Sequence, residues 1–147
     1  MIAIIRIAGQ VEIRKKIEET LSRLKLKRKY SCIIIDEKDK VKVGMLKKVY
    51  PYVAFGEIDK QTLIRLIEKR GQTIKKAGAK EKMKTKIDAK RIADEIEKGE
   101  KPEDSGIKGF FRLHSPRGGL KSSKKFFPRG VLGNHKKEIN KLIEKML

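Results

Sequence analysis

Three short apolar runs in the first 58 residues constrain the fold of this chain more than any other feature. IAIIRIA, SCIIID and YVAFGEI are rich in β-branched side chains and are bounded by polar or turn-forming residues, as expected of strands buried on at least one face. The chain between successive runs is long enough for a short helix. This order predicts an α+β fold, with a β-α-β-α-β core over residues 1–58 in which helices pack on a three-stranded sheet.

The two segments between these runs support the predicted order. The first carries apolar residues at the spacing of one helix face, with charged residues between them. These apolar residues are Ile13, Ile17, Leu21 and Leu24. The second segment, GMLKKVY, offers one or two helical turns before Pro51 limits it. We therefore expect both helices to lie against the sheet.

Residues 59–147 predict an extension of helices and basic loops that packs on this core. Asp59 is a suitable N-cap for the helix KQTLIRLIEKR, and Gly71 is a suitable stop. The segment 71–86 carries six lysines without an apolar stripe, which predicts a loop or a frayed helix. Two further amphipathic helices are expected in AKRIADEI and in GNHKKEINKLIEKML, the second with Asn134 as its N-cap.

The charge of the chain indicates a polyanionic partner. The sequence has 39 Lys and Arg against 19 Asp and Glu, a formal net charge of +20, and nucleic acid is the usual anion that offsets such a charge. An anionic membrane surface is the alternative, but no stretch approaches the roughly 20 apolar residues of a membrane span. The apolar start MIAIIRIAG carries Arg6 and lacks a basic n-region, so we expect a strand there, no signal peptide and an intracellular protein.

The distribution of charge along the chain narrows this expectation. From Ser105 to Lys137 the sequence contains nine Lys and Arg and no Asp or Glu, whereas a solvated surface loop usually mixes both signs. The exclusion of one sign predicts that this segment faces a negative surface. Gly118 and Gly119, which follow Pro116, would let the backbone turn sharply and approach phosphate oxygens.

Two phenylalanine pairs flank the most basic part of this segment. Phe110 and Phe111 precede it, and Phe126 and Phe127 follow it. Such rings can stack on unpaired bases or can anchor the ends of a loop in the core, which is the commoner role of phenylalanine. We expect the loop to contact RNA and the phenylalanines to hold it.

A second group of cations lies in KLKRKY, between the first helix and the second strand. Alone, such a run is often a solvated loop, but together with the C-terminal segment it predicts an RNA contact from two sides. The residues predicted to bind RNA are Lys25, Lys27, Arg28, Lys29, Arg112, His114, Arg117, Gly118, Gly119, Lys121, Lys124, Lys125, Arg129, His135 and Lys136.

No combination of residues predicts catalysis, a metal site or a cofactor. Cys32 is the only cysteine, and its apolar neighbours predict a buried core residue instead of a nucleophile. His114 and His135 have no neighbouring carboxylate or second ligand residue. Neither GxxxxGK[ST] nor GxGxxG occurs. We therefore expect no enzymatic activity, no cofactor and no small-molecule substrate.

Four stretches of the sequence carry a resemblance to a known family. TLSRLKLKRK and GMLKKV occur in the first 58 residues, and GFFRLHSPRGGLKSSKK and GNHKKEINKLIEKML occur near the C-terminus. The first two resemble the short bacterial form of the L30p/L7e family of large-subunit ribosomal proteins, and the last two resemble the C-terminal signature of its long archaeal and eukaryotic form. The long basic N-terminal extension of eukaryotic members is missing, which favours an archaeal protein.

The resemblance implies a structural protein of the large ribosomal subunit, in the cytoplasm. It implies a ferredoxin-like three-stranded sheet of order 3-1-2 with a long C-terminal extension. The implied partners are large-subunit rRNA, 5S rRNA and neighbouring ribosomal proteins, and no membrane. The positions that match the C-terminal signature and that we expect to contact RNA are Arg112, His114, Arg117, Gly118, Gly119 and Lys121.

The expected mechanism is architectural. Cations would neutralise phosphates where rRNA segments converge, a flexible basic segment would order on binding, and specificity would come from the shape of the RNA. Two other functions stay open. An RNA-processing enzyme would need a carboxylate cluster or a well-placed histidine, and a translational regulator would bind a messenger-RNA hairpin with the same surface.

Overall fold

The computed structural model describes residues 1–11, 13–74, 88–100 and 102–147 of the chain. Most of the lysine-rich segment, for which a loop or a frayed helix is predicted, lies outside the described residues. Two 3₁₀ turns, Tyr50–Tyr52 and Lys136–Glu138, accompany the strands and helices. These elements are β1 (Ile2–Arg6), α1 (Lys15–Arg23), β2 (Ser31–Ile35), α2 (Lys40–Val49), β3 (Val53–Glu57), α3 (Lys60–Arg70), α4 (Ala89–Glu97), β4 (Phe111–Arg112), β5 (Gly133–Asn134) and α5 (Ile139–Met146).

β1 lies at the centre of the sheet and pairs antiparallel with β2 on one side and with β3 on the other. Ile5 faces Cys32 across the first pair and Ala54 across the second. The predicted α+β class and the predicted order of the three core strands, with strand 1 in the middle, are confirmed.

The expectation of a three-stranded sheet is wrong, because the C-terminal segment adds a strand to each edge. β4 pairs antiparallel with β2, where Arg112 faces Ser31, and β5 pairs parallel with β3, where Gly133 faces Ala54. The resulting order is β4-β2-β1-β3-β5. Each added strand has two residues, too few for an apolar pattern to show in the sequence. Both strands cover part of an edge that would otherwise be open to pairing with another chain.

Both faces of the sheet are buried, which explains the nearly unbroken apolar run of β1. On one face, Ile4 belongs to a cluster with Leu21 of α1 and Leu46 of α2. On the other face, Ile5 belongs to a cluster with residues of α3, α4 and α5. These include Leu66, Ile67, Ile92, Ala93, Ile139 and Ile143. The extension therefore supplies the cover of one whole face of the sheet.

One of the two predicted helix caps is found at its position. Asp59 is the N-cap residue of α3, although its side chain makes no capping hydrogen bond. Asn134, the predicted N-cap of the last helix, lies in β5, and its Oδ1 accepts a hydrogen bond of 2.8 Å from the backbone N–H of Lys136. It thus closes the 3₁₀ turn that precedes α5, and the helix itself begins five residues later, at Ile139.

Candidate nucleic-acid interface

The strand register brings both predicted basic segments to the same end of the sheet. β1 ends at Arg6, beside the first residues of β2 and β3. β4 ends at the same end of the sheet, because Arg112 faces Ser31, and β5 begins at this end. Residues 24–30 lead into β2, and residues 113–132 join β4 to β5. We call this end of the sheet, with residues 24–30 and 113–132, the basic end.

A buried arginine at the end of β1 fixes the turn of residues 24–30. The side chain of Arg6 is 1% exposed, and burial lowers the pKa of its guanidinium while the charge of Glu18 opposes that shift. The guanidinium donates four hydrogen bonds to backbone carbonyls. Their acceptors are Leu26 (2.8 Å), Lys27 (2.9 Å), Gly9 (2.7 Å) and Ala8 (3.0 Å). Sequence analysis missed this role, although a charged residue inside an apolar strand signals a need for internal partners.

The turn held by Arg6 directs cations to the solvent. Leu26 is fully buried, whereas the side chains of Lys27, Arg28 and Lys29 are exposed. Lys25 forms an ion pair with Glu103, in which both side chains are nearly half exposed, and such a pair contributes little to stability. Buried groups therefore fix the backbone of this turn, and its exposed cations face the solvent, where a partner can meet them.

Arg112 and His114 lie beside this turn. Phe111 and Leu113 point into the core, and Arg112 and His114 alternate with them on the exposed side. The backbone N–H of Leu113 donates a hydrogen bond of 3.0 Å to the carbonyl of Tyr30, so β4 and the residues after it run directly along the turn. The two basic segments that the sequence predicted separately thus form one continuous surface.

The next residues are tied to the end of α5. The backbone N–H of His114 donates to the carbonyl of Met146 (3.0 Å), and that of Arg117 donates to the carbonyl of Lys145 (2.9 Å). The last carbonyls of a helix have no partner within the helix. These two bonds satisfy such carbonyls and hold the segment against the core.

Gly118 and Gly119 form an exposed turn after this attachment. Their φ angles are +81° and +75°, in the left-handed region that favours glycine. No atom lies within 4 Å of a Cβ placed on either residue, so conformation and not packing requires glycine here. Lys121, which follows the turn, is exposed.

The remaining predicted cations lie toward the other edge of the sheet. Lys124, Lys125 and Arg129 belong to residues 122–132, which precede β5, and their side chains are exposed. Lys136 is exposed in the 3₁₀ turn after β5. Strands β2, β1 and β3 lie between this group and Arg112, so the cations extend from one edge of the sheet to the other.

His135 does not belong to this surface, and its prediction as an RNA-binding side chain is not kept. The residue is 6% exposed, and its Nε2 lies 2.7 Å from the carbonyl oxygen of Val131. Its ring contacts that of Phe127, with a centroid distance of 4.5 Å. Lys136 beside it is charged and exposed, but the side chain of His135, which directly follows β5, lies in the core.

Three of the four phenylalanines in the flanking pairs anchor the basic segment. Phe111 is fully buried in the core, Phe110 packs half-buried against the cluster of α1 and α2, and Phe127 packs on His135. Phe126 differs, because it is 45% exposed.

Carboxylates lie at the opposite end of the sheet. Asp36 and Glu37 follow β2, Glu57 ends β3 and Asp59 follows it. The N-terminal ammonium group forms an ion pair of 2.9 Å with Glu37 at this end. Exposed lysines such as Lys38 lie among these carboxylates, so this end carries charges of both signs, whereas residues 105–137 carry no carboxylate.

The described residues contain no arrangement typical of catalysis. Cys32 is fully buried, and burial raises the pKa of its thiol to about 12, which keeps it in the unreactive thiol form. No group of three or more His, Cys, Asp or Glu side chains in the described part of the chain could hold a metal ion. None of the described helices is long and apolar enough to span a membrane.

Comparisons with known proteins give a consistent result. The family model of ribosomal protein L30p/L7e matches residues 2–53. The large ribosomal subunit protein uL30 of Archaeoglobus fulgidus is 38% identical over 155 aligned positions, which cover 99% of this chain and 99% of that protein. The proteins of the same name from Methanococcus vannielii and Methanosphaera stadtmanae are 40% and 39% identical and cover 99% and 100% of this chain.

Proposed function

The chain belongs to the ribosomal protein L30p/L7e family, and we propose that its basic end is the surface that binds large-subunit rRNA. As a family member it is a structural constituent of the large ribosomal subunit, works in the cytoplasm and is not an enzyme. It associates there with large-subunit rRNA and other ribosomal proteins. The three relatives named above, which cover 99–100% of the chain, are archaeal.

The convergence of two basic segments at one end of the sheet carries this proposal. One segment is the turn fixed by Arg6, and the other is the stretch of residues 105–137 without a carboxylate. The residues proposed for the interface are Lys25, Lys27, Arg28, Lys29, Arg112, His114, Arg117, Gly118, Gly119, Lys121, Lys124, Lys125, Arg129 and Lys136.

The mechanism is charge neutralisation by a preformed surface. Each Lys or Arg that meets a phosphate releases a condensed counterion, which favours binding without reading the sequence. Arg6 holds the turn of residues 24–30 before RNA arrives, so less conformational entropy is lost on binding. The turn at Gly118 and Gly119 exposes backbone that can donate N–H groups to phosphate oxygens.

We propose 5S rRNA as a further partner. Its support is the resemblance to the long form of the family together with the width of the basic end. Cations near Arg112 lie at the β2 edge, and cations near Arg129 lie toward the β3 edge. A surface of this width can hold two RNA segments and fix their relative position.

The test is the salt dependence of RNA binding by two matched triple variants. The first replaces Lys27, Arg28 and Lys29 by Gln, at the basic end. The second replaces Lys38, Lys40 and Lys98, which are exposed at the opposite end, and changes the net charge equally. Filter binding of each to transcribed large-subunit rRNA and to 5S rRNA of the source cells, over a series of KCl concentrations, gives the slope of log K against log salt.

We expect the slope to become shallower by about 2 to 3 for the first variant, since each lost phosphate contact removes about 0.7–0.9. The second variant should keep the wild-type slope. Equal effects of the two variants would show that total charge, and not the basic end, drives binding, and the proposed interface would then be wrong. If the large-subunit rRNA binds and the 5S rRNA does not, 5S rRNA is not a partner, and the proposed interface with large-subunit rRNA stands.

A further inference from the structure

Two exposed aromatic rings lie in contact beside the β5 edge of the sheet. Phe126 is 45% exposed and Tyr50 is 38% exposed, and their ring centroids are 5.3 Å apart with an angle of 33° between the ring planes. Phe55 also contacts Tyr50, edge to face, with a centroid distance of 5.6 Å. Among the described residues, no other aromatic side chain is exposed to this degree. Two exposed rings in contact offer a larger apolar surface than a single exposed ring does.

The loop that carries Phe126 is closed by backbone hydrogen bonds. The N–H of Gly130 donates to the carbonyl of Phe126 and the N–H of Phe127 to the carbonyl of Leu132, both at 2.8 Å. A Cβ at Gly130 would overlap the carbonyl of Lys125, so only glycine permits this closure. Phe127 is held from below by the ring of His135. The exposed position of Phe126 is therefore fixed by its neighbours.

Gly133 completes the support under the rings. Its φ is +86°, and a Cβ on it would lie 2.9 Å from the hydroxyl oxygen of Tyr50 and 3.1 Å from Cδ1 of Phe126. The backbone of β5 at Gly133 thus lies close to both aromatic side chains. A side chain at this position would displace at least one of them.

The surroundings of the rings are cationic. Lys124, Lys125 and Arg129 line the same shallow depression as Phe126, and Lys47 and Lys48 are exposed on the helix that leads to Tyr50. No Asp or Glu occurs between Ser105 and Lys137. These neighbouring cations would not favour the binding of an apolar protein surface. An RNA nucleotide fits better, because it presents a flat base between two phosphates.

We propose that Tyr50 and Phe126 form a stacking platform for one unpaired base of RNA, with Lys124, Lys125 and Arg129 on its flanking phosphates. The proposal rests on the proposed function, because it names a nucleotide subsite within the RNA that the basic end binds. Base stacking on an aromatic ring tolerates any base. The platform therefore recognises a bulged or looped-out nucleotide by its geometry, a feature that phosphate contacts with a regular helix cannot detect.

Two substitutions of Phe126 distinguish the contribution of base stacking to RNA affinity from the contributions of apolar contact and of charge. Phe126→Leu keeps an apolar side chain without a ring, and Phe126→Trp keeps a ring. Because the chain has no tryptophan of its own, the fluorescence of this indole reports on position 126 alone. Both variants keep every cation and should leave the salt slope of RNA binding unchanged. Thermal unfolding of each variant checks that the fold is intact.

For transcribed large-subunit rRNA of the source cells, we expect Phe126→Leu to weaken binding about 5- to 100-fold. Phe126→Trp should bind like the wild type, and RNA should quench its fluorescence. Ultraviolet irradiation of intact large subunits should attach a nucleotide to the peptide that contains Phe126. This last measurement uses the unmodified protein, so it decides the matter even where a variant fails to fold.

The proposed platform would be wrong if Phe126→Leu bound RNA as tightly as the wild type, if RNA left the indole fluorescence of Phe126→Trp unquenched, and if irradiation left the Phe126 peptide unmodified. A chemical cross-link from Lys124 or Lys125 to another ribosomal protein, with the same unmodified peptide, would assign the rings to a protein contact instead. In both cases the wild-type salt slope would still measure phosphate contacts, so the proposed function would stand. A wild-type chain without salt-dependent RNA binding would overturn the proposed function itself.

Discussion

Arg6 positions the basic end without belonging to its surface. A buried guanidinium is tolerated only where hydrogen-bond acceptors replace water, and Arg6 finds them in four carbonyls of two loops. Its neighbours in β1 serve the core, whereas Arg6 links the sheet to the turn of residues 24–30. One residue thus connects the stability of the fold with the geometry of the proposed interface.

Replacing Arg6 by Met is expected to lower the free energy of unfolding by about 2–4 kcal/mol, because one buried and three partly buried carbonyls lose their donors while the apolar volume stays similar. RNA affinity should fall as well, since the turn of residues 24–30 loses its fixed conformation. Urea unfolding and filter binding measure the two effects.

Arg112→Met is the control for this prediction. Arg112 is exposed, so its replacement should weaken RNA binding while the free energy of unfolding stays within about 0.5 kcal/mol of the wild type. An Arg6→Met protein as stable as the wild type would show that the four hydrogen bonds contribute nothing net to the fold.

At the scale of elements, the sequence predicted the strands and helices that have an apolar pattern of their own. It did not predict those that form only through tertiary contacts. β1, β2 and β3 were predicted because each of their runs contains at least four consecutive apolar residues. β4 and β5 have two residues each, and only the partners β2 and β3 make them strands. The cations of the basic end were predicted from composition, but the burial of the His135 side chain depends on its tertiary contacts with Val131 and Phe127.

Asn140 is a second element-scale feature that periodicity did not reveal. It is 8% exposed in the first turn of α5. Its Oδ1 accepts a hydrogen bond from the N–H of Asp59 (3.0 Å), and its Nδ2 donates to the carbonyls of Glu57 (3.1 Å) and Lys137 (2.9 Å). One amide thus joins α5 to the end of β3 and to the start of α3.

Asn140→Ala should lower the free energy of unfolding by about 2–3 kcal/mol, because it leaves partly buried backbone groups unpaired at the junction of three elements. Chemical denaturation monitored by circular dichroism measures the change. Lys141→Ala is the matched control, as Lys141 is an exposed neighbour on the same helix. If both variants unfold alike, the amide of Asn140 does not hold the junction.

At the scale of the whole molecule, the two faces of the sheet have different origins in the chain. Residues 1–58 cover one face with α1 and α2, and residues 59–147 cover the other with α3, α4 and α5. We propose the division into a core and an extension as a description of chain order. Because Ala3, Ile5 and Ile34 share a cluster with Ile139 and Ile143, we expect both parts to unfold together.

A cavity in the extension is expected to destabilise the central strands. Ile143 is fully buried on α5, and Ile143→Ala should lower the free energy of unfolding by about 2–5 kcal/mol. In native-state hydrogen exchange, the most protected amides of β1 should lose as much protection as those of α5, since one cooperative unit opens through one global transition.

Leu46→Ala, on the opposite face of the sheet, is the matched control. It should lower the protection of the same β1 and α5 amides together. If Ile143→Ala lowered protection in α5 alone and Leu46→Ala lowered it in β1 alone, the two parts would be separate folding units. The basic end would then be assembled from two independently stable bodies. A shared loss of protection would instead mean that the core and the extension fold as one unit, because each covers one face of the same sheet. The relative position of the two basic segments would then depend on both parts.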